Sequence, residues 1–416
     1  MNMQANKPRI LFVSPRVPFP ANSGTKIRIA NLLQALLELG DVDLVCHAFP
    51  SELPDLENPD NHLPAWFSRL RSIRVVPHPD WPEILPENLR HSLPRRLFAK
   101  EGLLYGSFPA THLLEPSAHY ARQADLIWAE RLYVAHALRE YAGKLIVDLD
   151  DLESVKFARE ADTCNSAFVA MGYRREAARL AAMEKDAASR YLLTTVCSTG
   201  DTAHFGTWAS RVQVVPNGVD DALTNLPPLP RLPDRLVFVG TLNYGPNVDA
   251  VVYFCRNILP LILAKHPGVV LDIVGLKPGA DVLALADDKH VFIHANVPEV
   301  APYVKRAAMS IVPIRIGGGT RLKILESLAL GTPVVSTTVG AEGLDLDHER
   351  HLLLADEPAS FAQAVSDLLA NPSRARQLAD TGLKRVKEQY LWSSIRNKLT
   401  NLCGGLLSSG NLRVAR

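Results

Sequence analysis

Short runs of valine, isoleucine and leucine alternate with stretches of helical period along nearly the whole chain. The first run, residues 9–14, ends in a proline-rich loop. From Gly24 to Leu39, Ile27, Ala30, Leu33 and Leu37 follow the helical period, and Gly40 stops it. Residues 41–49 alternate as a strand, and further strands are predicted at 73–77, 125–129, 144–149, 193–197 and 212–215. Continuous apolar runs between helices predict parallel strands covered on both faces. Residues 223–234 (LTNLPPLPRLPD) read as a linker, because proline joins neither a ladder nor a helix interior. A second alternation follows, with strands at 236–240, 269–275, 291–294, 309–313, 333–338 and 351–354 and a first helix at 247–263. Residues 374–399 read as a long amphipathic helix interrupted near Tyr390–Trp392. The pattern predicts an α/β chain of two Rossmann-like parallel-sheet domains, 1–222 and 235–390, facing across a cleft. Ligands of such sheets bind beyond the carboxyl ends of the strands.

Composition narrows the function. The 416 residues suffice for two or three domains. A net charge of +1 gives no whole-protein case for nucleic-acid binding. The five cysteines are far apart, with no CxxC pair and no zinc spacing, which predicts free thiols. The first residues enter a strand without an apolar leader, and no run of about 18 apolar residues occurs, so the expectation is a cytoplasmic protein. Residues 90–108 interleave Arg95, Arg96 and Lys100 with Leu97, Phe98, Leu103 and Leu104. Such a stretch can make peripheral contact with an anionic membrane surface, although a solvated helix packing its apolar side inward is the favoured reading.

The segment from Gly317 to Thr337 (GGGTRLKILESLALGTPVVST) is the most informative in the chain. It reads as loop, helix, glycine stop and buried strand. Three glycines bring backbone N–H groups to a helix start, where an anion is favoured. Arg321 and Lys323 add two cations at the same end, in conflict with the helix dipole and with each other. A bound pyrophosphate removes that conflict. Glu326, three residues after Lys323, shares its face and can accept hydrogen bonds from a ribose diol.

The block GGGTRLKILESLALGTPVVSTTVGAEGL, Gly317 to Leu344, resembles the donor-site signature of GT4-type retaining glycosyltransferases, which have the GT-B fold. The resemblance implies a nucleotide-sugar donor, a glycan or lipid-linked hydroxyl acceptor, no metal cofactor, and a terminal segment, 391–416, returning to the first domain. It implies donor contacts from Gly24 in the first strand-to-helix loop, from Gly240 and Asn243 after the first strand of the second domain, and from Val297 near the nucleobase. Gly318, Gly319 and Thr320 would meet sugar or phosphate, and Glu326 the ribose. Two departures matter. The Arg and Lys that many relatives carry after the glycine matching Gly240 are missing, which places the charge on Arg321 and Lys323. The first carboxylate of the EX7E pattern is missing too, since Gly318 stands there.

Asp148, Asp150 and Asp151 end a buried strand, where family members often carry a His-Asp pair. Asp150 or Asp151 takes that place, orienting a sugar or acceptor hydroxyl. Three close carboxylates can also hold a divalent metal, or cap a helix. The PNGVD turn at 216–220 matches the family and reads as a geometric hinge. A sugar-nucleotide epimerase and a non-catalytic nucleotide-sugar-binding module are the competing readings. A dehydrogenase is disfavoured because no GxGxxG follows the first strand, and a P-loop NTPase because GGGTRLK lacks the G-K-[ST] ending.

Overall fold

A computed structural model describes residues 7–21, 23–48, 63–77, 111–164, 166–316 and 320–408. The basic stretch 90–108 and the glycines Gly318 and Gly319 lie outside the described residues. The chain divides into two compact units, one of residues 1–216 with 396–416, the other of residues 217–395.

The first unit is a seven-stranded parallel sheet. Its strands are β1 (Arg9–Ser14), β2 (Asp41–Ala48), β3 (Ser72–Pro77), β4 (Leu126–Glu130), β5 (Leu145–Asp148), β6 (Leu193–Val196) and β7 (Val212–Val214). Their order is β3-β2-β1-β4-β5-β6-β7. β4 and β5 are buried at every position, as continuous apolar runs require when helices cover both faces. The order reverses between β1 and β4, which makes their carboxyl ends the switch point of this sheet.

The second unit is a six-stranded parallel sheet built from β8 (Leu232–Thr241), β9 (Val270–Leu276), β10 (Val291–Ala295), β11 (Ala307–Val312), β12 (Val334–Ser336) and β13 (Leu353–Leu354). The order is β10-β9-β8-β11-β12-β13, with the switch point between β8 and β11. Phe254 and Phe361, 5.9 Å apart and edge to face, anchor its core. Both units therefore have the α/β architecture of the GT-B fold.

Three local expectations need correction. Residues 232–234 of the expected linker already belong to β8, where Leu232 pairs with Ala307. The ladder then shifts register between Ala307 and Met309, opposite Pro233, which has no N–H to donate. The expected helix at 247–263 begins at Gly245 and widens into a π-turn at Phe254–Ile258 before Leu259–Leu263. Pro260 gives the reason, since a proline removes an intrahelical bond and crowds the preceding turn. The helix at 374–399 is two helices, Pro372–Gln389 and Trp392–Ser408. At the break the backbone leaves the helical ladder for another partner: Val219 N donates to Tyr390 O at 2.8 Å, and Trp392 N donates to Val219 O at 3.1 Å. From residue 396 the chain belongs to the first unit, where Arg396 donates to Asn31 Oδ1 at 2.7 Å.

Candidate functional site

In the second unit, β8 carries its last residues to the switch point, and the Leu322–Ala329 helix starts close by. Lys323 leaves the first turn of that helix and donates from Nζ to Asn247 Oδ1 at 2.8 Å. Its ammonium lies 4.3 Å from the Phe238 ring centroid. Asn247 is held in turn by its own donation to Thr241 O at 2.9 Å. Gly240 is required by this packing. A Cβ there would lie 2.7 Å from Asn247 Nδ2 and 3.1 Å from Lys323 Nζ. The glycine therefore makes room for the lysine as well as for any ligand.

The electrostatics follow from enclosure. Burial, with the Arg321 charge second, pushes the Lys323 ammonium down to about 7, against a smaller opposing effect of Glu326. Burial pushes the Glu326 carboxyl up, and the Lys323 charge resists. Lys323 makes no ion pair with a described carboxylate. Arg321 is the residue before the helix, and Thr320 O accepts from Leu322 N at 3.1 Å. Among the described residues the contacts of this ammonium are thus a neutral amide oxygen and a ring, with the Arg321 and Glu326 charges acting on it from further off. Nearby, Arg315 is already committed: it forms a two-pronged ion pair with Asp249 (2.6 and 3.1 Å) and stacks 4.0 Å over the Tyr253 ring.

The first unit gathers a second charged cluster at its own switch point. Register explains it: Glu130 pairs with Asp148 across β4 and β5, and Asp148 with Thr195 across β5 and β6. Three polar side chains thus form one row at the carboxyl edge of the sheet. Arg28, fully buried, reaches this row from the Gly24–Leu37 helix and grips both oxygens of Asp148 at 2.7 and 2.8 Å. Thr195 Oγ1 donates to Asp148 Oδ1 at 2.6 Å. Burial pushes the Asp148 carboxyl up, but the Arg28 charge and hydrogen bonds pull it below its usual range. Glu130 goes the other way, raised well above its usual range by burial and the Asp148 charge.

Beyond this row, Arg131 and Asp150 follow β4 and β5, both with left-handed backbones at φ 80° and 57°. They are joined at 2.8 Å through Arg131 Nη2 and Asp150 Oδ2, and Arg28 Nε lies 3.6 Å from Asp150 Oδ1. Non-glycine residues in that region cost free energy, and a salt bridge between two of them marks a locally strained, over-determined site. Asp151 is the most open of the three aspartates and accepts from Cys197 Sγ at 3.3 Å. Burial and the neighbouring Asp150 charge push its carboxyl up to about 6. Asp150, Asp151 and Cys197 offer ligand atoms within 4.8 Å of one another. The carboxylate of Asp150 is nevertheless already shared between two guanidiniums.

The other expected residues fall as follows. Gly24 is the exposed first residue of its helix, after Ser23, whose side chain makes no capping bond. Asn243 stands exposed in the turn after β8, and the asparagine that meets Lys323 is Asn247 instead. Val297 is half-buried against an apolar cluster containing Val237, Val274 and Leu330, so its side chain serves packing. Arg28, Glu130, Arg131, Thr195, Cys197 and Asn247 escaped the sequence reading. The strand expected at 125–129 stops one residue short of Glu130, and Arg28 sits among the apolar positions of an ordinary amphipathic helix. None of the five cysteines forms a disulfide. Among the described residues no helix is long and apolar enough to cross a membrane.

Comparison with known proteins adds to this geometry. Residues 233–371 match the family model described as Glycosyl transferases group 1. A glycogen synthase of Mycobacterium tuberculosis is 28% identical over 218 residues, 49% of this chain and 51% of that protein. The chain spans about half the length of the curated relatives it matches. Among solved structures, sucrose-phosphate synthase from Thermosynechococcus elongatus superposes with a TM-score of 0.68 at 18% identity, covering 97% of this chain and all of that one. Anabaena HepE in complex with UDP and glucose superposes at 0.61 with 13% identity, covering 96% of this chain and 100% of that one. At these identities the superpositions establish the fold, which is GT-B.

Proposed function

We propose, for a chain that belongs to the group 1 glycosyltransferases, that it moves a sugar from a nucleoside diphosphate donor to a hydroxyl acceptor with retention of anomeric configuration. The observation that carries the reading is the enclosed ammonium of Lys323, held by Asn247 beside Gly240 at the β8–β11 switch point. Leaving-group departure develops negative charge on the β-phosphate. In this reading Lys323, Arg321 and the backbone N–H of Thr320, at one helix start, stabilise such charge as it forms. Glu326, one turn deeper, takes the ribose hydroxyls. No enzymic nucleophile is required if the acceptor attacks on the face that the diphosphate leaves. The acceptor role falls on the first unit, where Asp151 is the most open of the three aspartates at the end of β5.

The reading is supported by the UDP held by the HepE neighbour and by the sugar-transferring activities named for the relatives. Assembly of a cell-surface polysaccharide or glycoconjugate is the proposed setting, with nucleobase and sugar open to a screen of UDP-, GDP- and dTDP-sugars by thermal shift. The decisive experiment is Lys323→Ala with such a donor. Release of nucleoside diphosphate should fall while circular dichroism and melting temperature stay native. Near-normal release from the folded variant would reject the assignment, and an epimerised nucleotide sugar without released diphosphate would reject transfer.

A further inference from the structure

The second unit carries a pocket of about 480 Å³ that this chemistry does not use. It opens at the amino ends of β8, β11 and β12, where Pro233, Met309 and Pro333 line it. Gly240 and Lys323 lie at the carboxyl end of the same parallel sheet. Along β8, Pro233 and Gly240 are separated by about 23 Å at ~3.3 Å per residue. The pocket is therefore a place of its own, and its volume is in the range that takes a small molecule.

Its walls have two characters. Leu368 and Leu369, with Met309 and Pro333, offer buried or half-buried apolar surface. At the rim stand two arginines, Arg231 and Arg376, both exposed. Arg231 donates to Ala307 O at 2.9 Å and to Gly331 O, both neutral acceptors that leave its charge uncompensated. Arg376 makes no hydrogen bond or ion pair with a described residue. Although the residue as a whole is exposed, partial enclosure of its guanidinium, and after it the Arg376 charge, holds Arg231 below its usual range, with Asp380 opposing. Two guanidiniums against one carboxylate in one recess repel each other, and an anion between them removes the repulsion.

We propose that this pocket binds a small amphipathic anion. A phosphate or carboxylate is held by Arg376 and Arg231, and an apolar body of one or two rings lies against Met309, Pro333, Leu368 and Leu369. The two halves of the pocket make a separable demand: neither charge nor apolar body alone satisfies it.

The test uses the full chain carrying Lys323→Ala, so that the donor-site ammonium contributes nothing. Three probes are titrated by calorimetry: 1-naphthyl phosphate, inorganic phosphate and 1-naphthol. The expected result is saturable binding of 1-naphthyl phosphate, with each partial probe at least tenfold weaker. Adding Arg376→Ala weakens naphthyl phosphate at least tenfold, and Ala375→Trp, which fills the pocket, abolishes binding. Both are judged on proteins whose melting temperature is unchanged, Arg376 being exposed and Ala375 half-buried. Equal binding to both variants overturns the proposal, as does inorganic phosphate matching naphthyl phosphate, or no saturable naphthyl phosphate binding in the millimolar range.

Discussion

The two units place charge at the same point of the same architecture and treat it in opposite ways. In the first, Arg28, Arg131, Asp148 and Asp150 answer one another, every charge meeting an opposite one within 3.6 Å. In the second, Lys323 faces an amide oxygen and a ring, with its charge weakened by enclosure rather than balanced by a carboxylate. A neutralised cluster stiffens a backbone and asks for nothing further. An unbalanced ammonium in a confined site is a demand for an anionic ligand. The difference gives most of the first cluster a structural role and supports the proposal that the second meets a donor.

The largest expected effect breaks the first cluster. Arg28→Ala strands a buried Asp148 carboxylate and should destabilise the first unit by about 3–5 kcal/mol in urea unfolding. The double variant Arg28→Met with Asp148→Leu should recover most of that loss, because both charges leave together. A small loss in the single variant would show that the cluster is not the self-contained network described.

Lys323→Met should do the reverse. Removing a desolvated charge leaves stability unchanged or slightly higher, while turnover with the donor drops by about 2–4 kcal/mol, roughly 30- to 1000-fold. Destabilisation as large as that from Arg28→Ala would make Lys323 a structural residue and erase the contrast.

Asp151 provides a smaller, signed test. Its folded-state carboxyl, up to about 6, lies above its usual 3.8. The favourable contribution is thus complete below about pH 4 and is lost as pH rises through 6. Asp151→Asn should stabilise the protein by on the order of 1–3 kcal/mol above pH 7 and by nothing below pH 4, read from melts across that range.

The smallest effect is a proton. The Lys323 ammonium, at about 7 in the free protein, should be recharged if it meets the proposed diphosphate. Donor binding should take up a fraction of a proton near pH 7.5 and weaken toward pH 9, by at most about tenfold per pH unit. Calorimetry in buffers of different ionisation enthalpy measures the uptake, and Lys323→Met should abolish it. Unfolded lysine keeps its proton to about 10.4, so the same shift makes stability rise between pH 7 and 10.

Much of this was legible one residue at a time. The alternation of apolar runs placed strands close to where they lie, because a parallel sheet covered on both faces demands continuous apolar sequence. Arg321, Lys323 and Glu326 were visible because a helix start concentrates its signals within a few residues. Asn247 was not, since its link to Lys323 spans 76 positions, and the exposed Asn243 carried the same chemistry in the same loop. Glu130 looked like the end of an ordinary strand. Only its pairing opposite Asp148 turned it into one half of a buried carboxyl pair.

By itself, then, the order of residues determined the two αβ alternations, the helix start rich in cations and the acidic end of β5. These are properties of local period and local composition. The tertiary structure alone decided which charges meet: Arg28 with Asp148, Arg131 with Asp150, and Lys323 with no carboxylate among the described residues. Strand register and burial make that choice, because enclosure sets the strength of a charge and neither enclosure nor register is written at any single position.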